Sequence, residues 1–165
     1  MNYHYIDEKG MAFLKQIGEK LNKNKISVGT AESCTGGLIA RMITSIPESS
    51  EHFVGAVVSY SEETKKKILK VSADDIKQYG VVSKSIAEQM ALGAMHLLDS
   101  QCAIATTGIA GPDGGTSENP VGTVWIAVTV KEKKESRRFF FKGDRQQIVR
   151  QSSLHALQML WDMLD

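Results

Sequence analysis

The chain has 165 residues, of which 42% are apolar, 24% charged and 7% aromatic. That size and mixture suit one globular domain over residues 1–165, and they exclude both disorder as the main state and two ordinary domains side by side. Twenty Lys and Arg stand against 19 Asp and Glu, a formal charge of +1, so no net field marks a general nucleic-acid or membrane-surface binder, and any partner is to be recognised by a local site.

The first 20 residues carry Asp7, Glu8, Lys9 and Lys15 and hold no unbroken apolar run. No stretch of about 18 apolar residues follows, so neither a secretory signal nor a membrane span is expected. Cys34 and Cys102 are far apart and form no CxxC, which offers neither a disulfide framework nor a zinc site and points to a reducing, cytoplasmic setting.

Met11, Leu14, Ile17 and Leu21 recur at helical spacing, so the first element is predicted to be an amphipathic helix. Ile26 to Gly29 reads as a short strand, Thr30 to Gly37 as a tight loop, and Leu38, Ile39, Met42 and Ile43 as the next helix. Phe53 to Tyr60 is β-rich and mostly apolar, the pattern of a strand buried on both faces, with a short helix from Glu63 to Leu69. Ser72 to Asp75 and Ser85 to Glu88 both have the capping-box spacing, and the second opens a long helix from about Ser85 to Leu98.

Cys102 to Thr106 is a third strand, and Gly108 to Gly115, with its glycines and proline, continues neither helix nor strand. Val121 to Val130 and Arg137 to Phe141 form a predicted antiparallel hairpin around the charged turn Lys131 to Glu135. Asp144 caps a last helix that presents Leu154, Leu157, Trp161 and Leu164. Strands and helices alternate, and the expected class is a single-domain α/β fold, a layered α/β/α sandwich with a mixed, mainly parallel sheet.

Ser33, Cys34 and Thr35 stand just before a helix start, where free N–H groups and the helix dipole favour a phosphate or an oxyanion. The same hydroxyls also serve as ordinary helix caps. Spacing matches neither GxxxxGK[ST] nor GxSxG. None of the four histidines, His4, His52, His96 and His155, has a catalytic context, which turns attention from a histidine base to a lysine.

Lys65 follows the second strand as Ser33 follows the first, and neighbouring parallel strands bring their carboxyl ends to one edge of the sheet. A lysine takes a proton from serine only when its charged form is disfavoured, and burial or the adjacent Lys66 and Lys67 would do this. For an arbitrary run of three lysines, a solvated helix face is the ordinary explanation. The Gly108 to Gly115 loop, with Thr106 and Thr107 at its base, is either a ligand cradle or a plain surface loop. Arg145 is a further candidate for a phosphate or carboxylate, or for an ordinary surface ion pair.

Six blocks occur in order: Ala31-Glu-Ser-Cys-Thr-Gly-Gly37, Val58-Ser-Tyr-Ser-Glu-Glu-Thr-Lys65, Gly80-Val-Val-Ser83, Thr107-Gly-Ile-Ala-Gly-Pro-Asp-Gly-Gly115, Pro120-Val-Gly-Thr-Val-Trp125 and Gly143-Asp-Arg145. Together they resemble the CinA carboxyl-terminal domain family in its stand-alone form. The resemblance implies a nicotinamide mononucleotide deamidase that forms nicotinate mononucleotide and ammonia in pyridine nucleotide recycling, with no metal and no cofactor. It places the nucleophile on Ser33 and the lysine on Lys65, with Tyr60 beside them to orient the lysine or relay its proton. Thr35, Gly36, Gly37, Thr107, Gly108 and Arg145 become the substrate-binding set, the oxyanion meeting N–H groups of the Cys34 to Gly37 turn.

A small-molecule mononucleotide is then the expected partner, without nucleic acid or membrane, in a homodimer or higher homo-oligomer. Cys34 is the second candidate nucleophile, and a non-catalytic nucleotide- or partner-binding module is the second function class. One departure stands out: where many members read Tyr-Ser-Asn, this chain has Tyr60-Ser61-Glu62. A carboxylate there would favour the ammonium form of Lys65.

Overall fold

The computed structural model describes residues 6–164. Its first helix, α1 (Glu8–Asn24), starts where Asp7 accepts a hydrogen bond from the Gly10 N–H, and buries Leu14, Ile17 and Leu21. The first strand, β1 (Val28–Glu32), begins later and ends later than the predicted Ile26 to Gly29. It is an interior strand of the sheet, buried on both faces, so even Thr30 and Glu32 are enclosed.

A short helix α2 (Leu38–Ile43) and one 3-10 turn (Ser49–Glu51) lead to β2 (Phe53–Val58). This strand corrects the expectation of burial on both faces. It lies at the edge of the sheet, and Val54 and Val58 stay half exposed because the six-residue α2 is too short to cover them. Helices α3 (Glu62–Leu69), α4 (Ala73–Tyr79) and α5 (Lys84–Leu97) then cross to β3 (Cys102–Gly108).

Ser72 caps α4 as predicted, accepting from the Asp75 N–H. For α5 the cap is Ser83, not Ser85, and Glu88 binds Lys134 and Ser136 on the sheet instead of the helix start. The hairpin of β4 (Thr123–Val130) and β5 (Lys133–Phe140) turns on only Lys131 and Glu132, with Lys131 left-handed at φ 55°. The charged run Lys133 to Glu135 therefore belongs to the strand, where charge is tolerated because β5 is the other edge. Asp144 and Gln147 form a full capping box at the start of α6 (Arg145–Met163).

The sheet order is β2-β1-β3-β4-β5. β2, β1 and β3 pair in parallel and β3-β4-β5 antiparallel, so β4 alone runs against the other strands. Alternate residues face opposite layers. Ile104, Val124, Ile126 and Val128 meet α1, α2 and α6 on one side. On the other side Ala31, Ala103, Ala105 and Ala127 meet Ala87, Met90, Ala91 and Ala94 of α5. These small residues let α5 sit close against the sheet. Gly93, on the neighbouring side of α5, lies against the carbonyl of Leu69, where an added Cβ would fall 2.1 Å from that oxygen.

The crossover from β1 to β2 uses the first layer and that from β2 to β3 the second. The first connection carries the chain to one side of β1 and the second brings it back across to the other, which opens a crevice at the carboxyl ends of β1 and β3, the place where such sheets bind ligands.

Candidate active site

Ser33 follows the last residue of β1, and its N–H donates to the Thr106 carbonyl of β3 at 3.0 Å. The turn behind it is held by Glu32, which is fully buried. The two carboxylate oxygens accept from the N–H groups of Gly37 (3.0 Å), Ile39 (3.1 Å) and Ala40 (2.9 Å) and from the hydroxyls of Thr30 (3.2 Å) and Thr35 (2.7 Å). Gly37 forms the helix N-cap at φ 97°, a backbone conformation that favours glycine, and offers no side-chain cap. The cap is supplied from beneath by Glu32.

This corrects the expectation of an open anion site at the start of α2, because the protein's own carboxylate already occupies it. Thr35 likewise turns inward, its hydroxyl bridging Glu32 and the Thr106 hydroxyl at 2.8 Å. Of the Cys34 to Gly37 turn, the N–H groups of Gly36 and Gly37 are bonded, to Ser33 O and Glu32, whereas that of Cys34 meets only its own thiol sulfur and that of Thr35 has no partner among the described residues.

Lys65 arrives from the opposite layer. Ser61 caps α3 by accepting from the Thr64 N–H at 3.1 Å, which sets the first helical turn at the carboxyl end of β2. From there Lys65 runs inward to 3% exposure, and its Nζ donates to Ser33 Oγ at 2.9 Å and to the Ser59 carbonyl at 2.7 Å. Burial lowers the lysine pKa below its ordinary value, since an ammonium loses water there and gains only neutral acceptors.

Two influences oppose that shift, the Cys34 sulfur and Glu62. Burial pushes the Cys34 thiol up to about 12, so it stays uncharged at neutral pH and Glu62 is the charge that counts. Its pull does not outweigh desolvation. Lys66 pairs with Glu63 at 2.9 Å, and burial, not Lys66 or Lys67, is what disfavours the charged form. The same burial makes Cys34 a poor nucleophile.

Ser33 and Lys65 open into a cavity of about 560 Å³ bounded by Tyr60, Glu62, Thr107, Gly108, Asp113 and Arg145, among others. Thr107 donates its hydroxyl to the Val81 carbonyl at 2.8 Å and so ties the wall to the link before α5. Gly108 admits no side chain, since a Cβ would fall 2.6 Å from the Thr123 carbonyl oxygen. Arg145, at the start of α6, donates Nη1 to the Gly111 carbonyl (2.7 Å) and Nη2 to the Tyr60 hydroxyl (2.8 Å).

Tyr60 is 62% exposed, its hydroxyl accepts from Arg145, and among the described residues it has no hydrogen bond to Lys65, with which it shares the cavity lining. Thr35, Gly36 and Gly37 lie outside this cavity and border a second one that shares Arg145.

No histidine lines the Ser33 cavity. His52 lies at the amino end of β2, bonded to Asn22 at 3.0 Å, and burial lowers its pKa. His155 packs on Phe139 and Phe141, His96 is in the last turn of α5, and His4 lies outside the described residues. Among the described residues no three His, Cys, Asp or Glu side chains gather as a metal site, and no helix is long and apolar enough to cross a membrane.

Sequence reasoning missed Glu32 and Ser59. A carboxylate immediately before a glycine-rich helix start was the available signal for Glu32. Nothing in the sequence marks Ser59, whose carbonyl receives Lys65 and whose own buried hydroxyl has no partner.

The CinA C-terminal domain model matches residues 11–164. The nicotinamide-nucleotide amidohydrolase PncC of Escherichia coli K12 is 42% identical over 156 residues, 94% of each chain. A CinA-like protein of Thermosipho melanesiensis is 47% identical over 136 residues, which is 81% of this chain and 34% of that longer protein. The crystal structure of the competence/damage inducible protein CihA from Agrobacterium tumefaciens superposes with a TM-score of 0.94 at 33% identity, covering 97% of this chain and 98% of that one. The family match takes in the whole sheet together with the Ser33 turn and Lys65, and the chain belongs to the CinA C-terminal domain family.

Proposed function

We propose that this chain hydrolyses the carboxamide of nicotinamide mononucleotide to nicotinate mononucleotide and ammonia, with Ser33 as nucleophile and Lys65 as general base. The observation that carries this reading is the buried Lys65 Nζ, 2.9 Å from Ser33 Oγ and shifted toward its neutral form. The name of the Escherichia coli relative supports the choice of substrate.

Neutral Lys65 takes the Ser33 hydroxyl proton as Oγ bonds to the carboxamide carbon, and the carbonyl oxygen becomes an oxyanion met by the N–H groups of Cys34 and Thr35. Lys65 then passes that proton to the nitrogen as the C–N bond breaks and ammonia leaves. Water, deprotonated by the same lysine, attacks the resulting ester. Cleavage of the ester returns the proton to Ser33 and releases the acid.

The pyridinium ring of the substrate is a cation, and Glu62 and Asp113 give its end of the cavity carboxylates of opposite charge. Glu62 in place of the usual asparagine is thereby given a role. Thr107 and Gly108 form the wall against which the ring lies, and the Tyr60–Arg145 bond closes the rim. The reaction is metal-independent and cofactor-free and serves cytoplasmic recycling of pyridine nucleotides.

Ammonia release from nicotinamide mononucleotide by the purified full chain, with and without a chelator, tests the reading. Release that is indifferent to chelator and falls at least about 10³-fold in a folded Ser33→Ala protein is expected. Absence of release from the unaltered chain between about pH 6 and pH 10 would overturn it and leave a nucleotide-binding module.

A further inference from the structure

On the far side of Arg145 lies a second cavity of about 690 Å³, floored by the Thr35-Gly36-Gly37 turn and walled by Arg41 of α2 and Gln147 and Arg150 of α6. Three arginines therefore border one groove, and no Asp or Glu lines it. Among the described residues the guanidinium groups of Arg41 and Arg150 make no ion pair and no hydrogen bond. The nearest buried carboxylate beneath the turn, Glu32, is already committed to its own five donors.

The two cavities are thus opposite in character. Beside Ser33 the lining holds Glu62 and Asp113; beyond Arg145 it holds only cationic and neutral groups. Like charges gathered without a counter-ion repel one another, and guanidinium forks match the oxygens of a phosphate in pairs. We propose that the Arg41–Arg145–Arg150 groove is a phosphate subsite, and that the group it takes is the phosphomonoester of the nucleotide whose amide lies at Ser33. Arg145, common to both cavities, is the joint between the two halves of the ligand. The identity of that ligand rests on the function proposed above, whereas the anion site itself does not.

The test uses the full chain and an Arg41→Ala/Arg150→Ala double variant, in which two exposed side chains are shortened and Arg145 keeps its bonds to Tyr60 and Gly111. Inorganic phosphate titrated at low salt and followed by amide NMR is expected to perturb Gly36, Gly37 and the first turn of α6, with affinity falling about tenfold or more in the variant. Equal affinity in both proteins would overturn the site. The source of the phosphate is then read from kinetics with two substrates. A KM for nicotinamide mononucleotide that rises about tenfold in the variant, while that for the phosphate-free nicotinamide riboside stays put, assigns the groove to the substrate. Weakened phosphate binding with both KM values unmoved refutes that assignment and makes the occupant a separate phosphate-bearing ligand. Should the unaltered chain release no ammonia at all, the amidase reading falls, and the phosphate titration still decides whether the groove is an anion site.

Discussion

Two buried charged side chains flank Ser33, and they are treated in opposite ways. Glu32 has five hydrogen-bond donors arranged around its two oxygens, drawn from β1, the Ser33 turn and α2. Lys65 has two acceptors, the Ser33 hydroxyl and the Ser59 carbonyl, and no carboxylate within bonding reach. The first charge is satisfied so fully that it acts as a peg for the backbone. The second is left short of partners, which is the condition under which an amine gives up its proton more readily than an exposed lysine does.

Exchanging Lys65 for methionine breaks the comparison most directly. Ammonia release is expected to fall about 10²- to 10⁴-fold, the range for loss of a general base. In the unaltered chain kcat/KM should climb with pH as the lysine loses its proton. Stability carries the same signature: between the lowered folded pKa and the ordinary 10.5 the unfolded chain binds the extra proton, so the native chain gains stability as pH rises through that interval. The stability advantage of Lys65→Met over the native chain should accordingly be largest below the folded pKa and shrink toward pH 10.5 in denaturant titrations. A gap independent of pH would show that burial leaves the lysine unperturbed.

Glu32→Ala probes the peg. It removes the acceptor of three N–H groups and of the Thr30 and Thr35 hydroxyls, of which Thr35 keeps its bond to Thr106, and a loss of roughly 3 kcal/mol or more is expected in urea unfolding, with activity lost alongside. A loss under about 1 kcal/mol would mean that water replaces the carboxylate and that the turn needs no anchor. Ser59→Ala is the smallest test. The hydroxyl it removes is buried without a partner, while the carbonyl that receives Lys65 remains. Stability should change by no more than about 0.5 kcal/mol and the pH profile not at all; a shifted profile would add the side chain to the lysine's partners.

Much of this was legible from the sequence, for identifiable reasons. Helices α1, α5 and α6 announce themselves through apolar periodicity, and the placing of Ser33 and Lys65 at neighbouring strand ends follows from alternation of strand and helix. The role of Thr35, Gly36 and Gly37 was not legible. Reading Thr30 to Gly37 as a loop put Glu32 in solvent, and only when β1 extends to Glu32 does its carboxylate turn under α2 and fill the anion position. Burial of β2 was overestimated because apolar content alone does not tell a central strand from an edge strand, which depends on what the rest of the chain packs beside it. The turn between β4 and β5 was drawn too long because charge on an edge strand looks the same in sequence as charge in a loop.

The two faces of the sheet also differ in how freely they can change. Where Ile104, Val124, Ile126 and Val128 meet Leu157 and Leu160, a methyl group removed from one side chain can be restored on its neighbour, and volume is shared among branched residues. Opposite, Ala103, Ala105 and Ala127 face the alanines of α5, and Gly93 already stands at backbone contact with Leu69. There is no side-chain volume to redistribute there, so a larger residue must move the helix itself, and with it the Leu69 end of α3, the helix on which Lys65 stands. Recombining this sequence with a relative should therefore succeed residue by residue on the first face and only as an exchange of the whole α3–α5 block on the second.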